Sequence, residues 1–284
     1  MIFAIIPNET KKNALNVAQT VIDHLSLFGA QAMVFGGFSD KLHGDGIVFS
    51  KSDDDLRKCS AIICIGGDGT IIHAAKKGLS YGKPVLGINA GRLGFMAGLE
   101  NNECHLLKNL IDGDYNIEKR MMLQVDIMRG DEVVFSDYSL IDAVVSRGSL
   151  SRVCSIDAFC NGTLVSTYLT DGIIVSTQTG STAYSLSAGG PIVDPRIECL
   201  LMTPICPHSL SARTVIFRPD AEITIMETAD NDTKLYLTVD GEEAVRINEG
   251  EKVVIRKSSC YANFIRIKSE DFYDVINRKF NCDI

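Results

Sequence analysis

Uniformly apolar runs alternate with helix-spaced stretches over the first hundred residues. "MIFAII" at the start is a short apolar run, and "QAMVF" (31–35), "SAIICIG" (60–66) and "KPVLGINA" (83–90) repeat the signal. Between them, apolar residues from Thr10 to Phe28 recur at Leu15, Ala18, Ile22 and Leu25, the spacing of one helix face. Thr70 to Leu79 carries a second helix signal. Strands that alternate with helices predict a parallel, doubly wound sheet, and strands without polar positions suit a sheet covered on both faces. The pattern changes after about Asp114. Apolar and polar positions now partly alternate, as in "MMLQVDIMRGDEVVFSDYSLIDAVVS", and turn dipeptides punctuate them. Gly130-Asp131, Asn161-Gly162 and Asp240-Gly241 are hairpin signals, the last two of the kind that suits type I′ turns. This half predicts an all-β, sandwich-like domain. It is interrupted by one short helix near 181–188, and a last helix is expected at 270–280. The expected division is an α/β domain over 1–112 and a β-sandwich domain over 113–269, with 270–284 packing back on the first.

Composition narrows the function classes. The 284 residues suffice for two domains with their own cores. A net charge of −8 argues against a general nucleic-acid binder, which would be basic. An acidic chain that holds an anionic ligand must gather positive potential locally, from glycine-rich backbone, helix N-termini and a few Lys or Arg side chains. No apolar run approaches the roughly 18 residues of a membrane span, so no membrane role is expected. The start lacks a basic segment and is too short for a signal peptide. Nine cysteines are scattered without a C-x-x-C pair, which predicts reduced thiols, a cytoplasmic setting and no structural zinc.

The candidate chemistry gathers where the third apolar run stops, at "GGDGT" (66–70). A strand that ends in glycines and enters a helix brings backbone N–H groups to a ligand, and the helix N-terminus favours negative charge. Gly66, Gly67 and Gly69 let phosphate oxygens approach the main chain, and Thr70 suits an N-cap or a phosphate ligand. Asp68 is the anomaly, because a carboxylate beside phosphates is repelled. It makes sense as a holder of Mg²⁺ or as the acceptor of a proton from an attacking hydroxyl; otherwise it stabilises a tight turn. Two more glycine-rich loops follow, "GINAGRLGFM" (87–96) and "STQTGSTAYSLSAGGPIVDP" (176–195).

"GGDGT", "GINAGRLGFM", "TDGIIVSTQTGSTAYSLSAGGPIV" and "TPICPHSLSARTVI" together resemble the NAD kinase family, from about residue 58 to 257. "GGDGT" alone is shared with lipid kinases, whereas "TGSTAYSLSAGGP" is the more specific segment. The resemblance implies transfer of the γ-phosphate of ATP, with Mg²⁺ or another divalent ion, to the 2′-hydroxyl of the adenosine ribose of NAD. It also implies a homodimer or homotetramer. A lipid or sugar kinase built on the same turn, and a catalytically weak dinucleotide-binding module, are the alternatives.

By that resemblance Asp68 is the catalytic base, while Gly66, Gly67, Gly69 and Thr70 line the phosphate site. His73, Asp142, Arg152, Asp171, Thr182, Ala183, Tyr184 and Ser187 fall at NAD-contacting positions. Four of them also have a plain alternative: a surface His73 or Arg152, a core Tyr184, a turn Asp171. Apart from Asp68, no metal ligand is expected. Lys76, Lys77, Arg92 and Arg213 are further candidates to offset phosphate charge, and Asp240 or Glu242 to approach the nicotinamide. The family's usual Asn-Glu before an apolar strand is here Ile141-Asp142. Isoleucine loses the amide's donor and acceptor, about 1–3 kcal/mol where nothing replaces them. Asp142 keeps the charge with one methylene less of reach.

Overall fold

The computed structural model describes residues 1–11, 13–38, 40–91, 94–148, 153–228, 234–269 and 272–281, with residues 280 and 281 by backbone alone. Two compact units emerge, one of residues 1–120 with 262–284, the other of residues 121–261.

In the first unit the chain runs β1 (Ile2–Pro7), α1 (Ala14–Leu27), β2 (Gln31–Phe35), β3 (Ile47–Ser50), β4 (Ala61–Gly66), α2 (Asp68–Tyr81), β5 (Val85–Asn89), β6 (Leu99–Glu100) and α3 (Leu107–Asp112). The strands pair in parallel in the order β3-β2-β1-β4-β5, with Ala4 beside Met33 and Ile62, and Ile63 beside Leu86. Alternation divides the side chains between two faces. Ile5, Val34, Ile63, Ile65 and Leu86 bury against Val17, Val21, Ile22 and Leu25 of α1 and Leu107 and Leu110 of α3. Ile62 and Gly87 meet α2 on the other face. This is the doubly wound parallel sheet that the apolar runs predict.

Helix α2 begins two residues before the predicted Thr70. Gly67 is extended at its N-cap, and its carbonyl accepts from Thr70 N (3.0 Å) and Ile71 N (3.2 Å), so Asp68 already lies in the first turn. The helix ends at Gly82, left-handed at φ +65°.

The second unit takes up the strand β7 (Asn116–Arg129) and continues with β8 (Glu132–Ser139), β9 (Asp142–Arg147), β10 (Cys154–Cys160), β11 (Thr163–Thr170), β12 (Gly172–Thr177), α4 (Tyr184–Ser187), β13 (Leu200–Ile205), β14 (Val215–Phe217), β15 (Glu222–Glu227), β16 (Leu235–Val239), β17 (Val245–Ile247) and β18 (Glu251–Arg266). Residues 116–120 of β7 and 262–266 of β18 count with the first unit, as does α5 (Phe272–Asn281). One sheet is wholly antiparallel, in the order β14-β13-β12-β9-β16-β17. Facing it, β11, β10, β15 and β18 pair in turn, with β7 and β8 alongside. Val125, Val145, Ile156, Val175, Leu200, Ile225, Leu237 and Ile255 meet in the core between them, as the alternating pattern predicts.

Asn161-Gly162 and Asp240-Gly241 both carry positive φ at each residue (+49° and +78°, +49° and +73°), the signature of I′ hairpins. At Gly130-Asp131 only the glycine does, and the β7–β8 register shifts between Ile127 and Met128. The helix expected near 181–188 is a 3₁₀ turn over Thr179–Thr182 followed by α4, broken at Ala183. Gly180 explains the tight turn: a Cβ there would overlap the Ile141 carbonyl.

Candidate active site

In the first unit, chain direction reverses at β1 and β4. These strands are neighbours, but β1 leads to β2 on one side and β4 to β5 on the other. In open α/β sheets ligands bind beyond the carboxyl ends of the strands at such a point. Asn8 follows β1 there, and Gly66 to Thr70 follow β4. Asn8 Nδ2 donates to Thr70 Oγ1 (2.7 Å), and Asn8 Oδ1 accepts from the Thr10 amide (2.9 Å). Gly66 has no room for a Cβ, which would overlap the Thr70 side chain. Around Gly67 and Gly69 a Cβ would meet nothing within 4 Å. Packing therefore does not require glycine at those two positions, and the bare backbone lies open to a ligand.

The half-buried Asp68 carboxylate is held from the following loop. Phe95 N donates to Oδ2 (3.0 Å) and Met96 N to Oδ1 (3.1 Å). A Cβ at Gly94 would overlap the carboxylate, which is the physical need for that glycine. A carboxylate offers about four lone-pair sites, and two amides use two of them. His73 is exposed on α2, about one turn beyond Asp68. Lys77 is committed elsewhere, to Asp53 (2.7 Å) and the face of Phe35 (5.3 Å).

In the second unit, Thr182, Ala183, Tyr184 and Ser187 lie together on the 3₁₀ turn and α4, from half-buried to exposed. The segment is anchored from below by Ser185 Oγ to Thr203 Oγ1 (3.0 Å) and by the Val193 amide to Ser181 Oγ (3.0 Å). Tyr184 is 46% exposed. Partial burial, and then the nearby Cys206, Asp171 and Asp142, raise its phenol.

Asp142 is 6% exposed at the start of β9. Among the described residues no hydrogen bond to its carboxyl appears. Burial, reinforced by the charge of Asp240, pushes that carboxyl up to about 7. Asp240 is fully engaged: Ser139 Oγ (2.7 Å) and the amides of Leu140 (2.8 Å), Ile141 (2.8 Å) and Asp142 (3.2 Å) all donate to it. That grip braces the entry to β9. Ser176 lies opposite Asp142 in the β12–β9 register, and opposite residues of an antiparallel pair share a face. Its hydroxyl is buried without a partner, as is Gln178 Oε1.

A model of the ATP-NAD kinase N-terminal domain matches residues 49–115, and one of the C-terminal domain matches residues 141–267. An NAD kinase of Thermoanaerobacter sp. is 38% identical over 276 residues, 97% of this chain and 97% of its own length. The chain belongs to the ATP-NAD kinase family. An NAD kinase of Acetivibrio thermocellus is 36% identical over 97% of this chain and 95% of its own. Two solved structures share the fold. Yeast NADH kinase complexed with NADH has a TM-score of 0.89 at 24% identity, covering 99% of this chain and 87% of that one. An NAD kinase from Archaeoglobus fulgidus in complex with ATP has a TM-score of 0.75 at 23% identity, covering 98% of each.

As a family member the chain is an enzyme, a kinase that uses ATP and NAD and makes NADP. The lipid- or sugar-kinase and binding-module alternatives give way. Among the positions that the family resemblance marks, Asp68, Gly66, Gly67, Gly69, Thr70 and His73 gather at one end of the parallel sheet. Thr182 to Ser187 gather on one short segment of the second unit. Asp171 is paired with Arg147 (2.8 Å), which occupies one of its oxygens. Ile141 is 6% exposed; its amide donates to Asp240 and its carbonyl accepts from Thr177 N (2.9 Å). Arg152 and Arg92 lie outside the described residues. Arg213 donates to its own loop, at Leu210 O (2.6 Å) and Ala212 O (2.7 Å). Glu242 is exposed beside the hairpin.

Sequence reasoning missed Asn8, Ser176 and the two amides that hold Asp68. Asn8 carries one signal, its place just after an apolar run. Ser176 and Gln178 lie within the quoted hydroxyl-rich loop but face inward, where no motif points. Among the described residues no helix is long and apolar enough to cross a membrane, and no group of three or more His, Cys, Asp or Glu gathers for a metal ion.

Proposed function

We propose that Asp68 is the general base of the kinase reaction. It accepts the proton of the adenosine-ribose 2′-hydroxyl of NAD as the 2′-oxygen attacks the γ-phosphorus of ATP in line and ADP leaves. The observation that carries this reading is the Asp68 carboxylate, aimed by two amides at the N-terminus of α2 and at the switch point of the sheet. Its two remaining lone-pair sites leave room for the hydroxyl proton. The open glycine backbone at Gly67 and Gly69, with Gly66 and Thr70, serves the phosphates. There the helix end offsets part of their charge.

NAD contacts fall to His73, Asp142, Arg152, Asp171, Thr182, Ala183, Tyr184 and Ser187. Tyr184 offers an exposed ring face to a base and a hydroxyl for a hydrogen bond. Asp171, already bonded to Arg147, keeps an oxygen for an amide donor. A divalent ion such as Mg²⁺ would come to this site with the ATP phosphates, with Asp68 as a candidate ligand. Bound there, it would neutralise charge on the phosphates. A homodimer or homotetramer in the cytoplasm completes the reading; the eight described cysteines, all free thiols, suit a reducing compartment.

The test is a coupled assay. Protein, Mg-ATP and NAD are incubated, and NADP is read out with an NADP-specific dehydrogenase. Asp68→Asn is expected to lose about 10²–10⁴-fold in kcat with its fold intact. An unchanged rate in that variant would remove Asp68 from the chemistry.

A further inference from the structure

The Asp68 carboxylate owes its direction to a turn, and the turn is held in place by the far end of the chain. Phe95 and Met96 give Asp68 their amide protons (3.0 and 3.1 Å). In the next two peptide units along the chain, Arg266 Nη1 donates to the carbonyls of Met96 (3.0 Å) and Ala97 (3.1 Å). The Arg266 guanidinium is itself fixed by Glu118 (2.5 Å to Nε). Burial alone would raise the Glu118 carboxyl, but Arg266 and Arg120 outweigh it and hold it below the usual range. From α5, Lys279 Nζ sits 4.1 Å from the centre of the Phe95 ring, a close cation–π contact. All of these residues lie in the first unit. The Gly94 backbone, with no Cβ, lets the turn approach the carboxylate this closely.

We propose that Arg266 and Lys279 are positioning residues for Asp68, acting through the 94–97 turn. Arg266 fixes the two peptide planes that directly follow those whose N–H groups reach the carboxylate, and so holds the C-terminal side of the turn. Lys279 fixes the ring of the residue that supplies the first of those N–H groups. Neither side chain needs to touch substrate. Without them the turn is free to shift, the two amides lose their aim, and the carboxylate rotates away from the 2′-hydroxyl. The proposal rests on the reading of Asp68 as base.

The experiment is a double-mutant cycle on the full-length enzyme. kcat and the KM values for NAD and ATP are measured for Arg266→Met, Lys279→Met and Lys279→Arg, each in the parent and in the Asp68→Asn background. Melting temperatures control for folding. In the parent, Arg266→Met and Lys279→Met are expected to lower kcat by about 10–100-fold, the scale of a misplaced catalytic group. KM values should stay within about two-fold, and Lys279→Arg, which keeps a cation over the ring, should restore the rate. In the Asp68→Asn background the same changes should cost nothing further, because their target is gone.

A kcat within about two-fold of the parent for Lys279→Met and for Arg266→Met would overturn the proposal, as would the same fold-loss with and without Asp68. Should Arg266→Met fail to fold, with Glu118 left half-paired, Lys279→Met decides alone. Failure of the base reading shows separately, as full activity in Asp68→Asn by itself.

Discussion

Asp142 has a buried carboxyl that burial raises, with the charge of another acid, Asp240, adding to the rise. Asp240 collects one hydroxyl and three amides, which partly offset the burial that raises its own carboxyl. Among the described residues no such donors reach Asp142, and its carboxyl rises from 3.8 to about 7. Between those two values the folded chain keeps a proton that the unfolded chain has lost. Stability therefore falls as pH rises through that window and levels off above it. At about 1.4 kcal/mol per unit the fall is on the order of 4 kcal/mol at most. Asp142→Asn keeps the shape and removes the titration. It is expected to melt higher than the parent above pH 7, to match it near pH 4, and to flatten the slope between. Urea midpoints against pH would show this, and an unchanged slope in the variant would assign the proton elsewhere.

At the scale of elements, two glycines of α2 separate packing from function. A Cβ at Gly78 would stand 2.6 Å from the Lys83 carbonyl and 2.9 Å from Val85 Cγ2, where helix meets strand. Alanine brings about 1 kcal/mol of helix propensity there but forces an overlap with backbone worth about 1–3 kcal/mol. Gly78→Ala should therefore lower the melting temperature by a few degrees while the KM for ATP stays put. At Gly69 nothing stands within 4 Å of a Cβ. Gly69→Ala should leave the melting temperature unchanged or raised and, if the proposed phosphate site is right, increase the KM for ATP, because there the bound phosphates need that space. Steady-state kinetics and thermal melts of the pair test both statements together.

The contrast also marks what the sequence made legible. Apolar runs and Gly-rich ends revealed the parallel sheet, and Asn-Gly and Asp-Gly revealed their hairpins, because those signals are local. The broken helix at Ala183 was not legible. The 3₁₀ turn before it packs Gly180 against the Ile141 carbonyl, an approach between residues 39 positions apart that no local pattern carries. The amides that hold Asp68 were hidden for the same reason: a backbone N–H carries no residue signature, and the partner is 27 or 28 positions away.

Over the whole molecule the cysteines report on both units at once. Of the nine in the sequence, eight are described, all as free thiols. Cys59, Cys64 and Cys104 are buried in the first unit, and Cys154 and Cys199 in the second. Burial pushes Cys64 up to about 12 and Cys154 to about 11 and raises the other three, so the reactive thiolate is scarce as well as shielded. Cys206 is exposed, and Cys160 and Cys260 are half-exposed. A thiol reagent applied to native protein should therefore label Cys206 first and Cys160 and Cys260 more slowly. The five buried thiols should label only at the rate at which their unit opens. Peptide mass spectrometry over a time course separates these sets. Saturating NAD and ATP should slow the buried set further, since ligands that bind only the folded state lower the open population by mass action. Labelling of Cys64 at the pace of Cys206 in native buffer would contradict the packed sheet on which Asp68 is mounted, and the argument for its aim would fall with it.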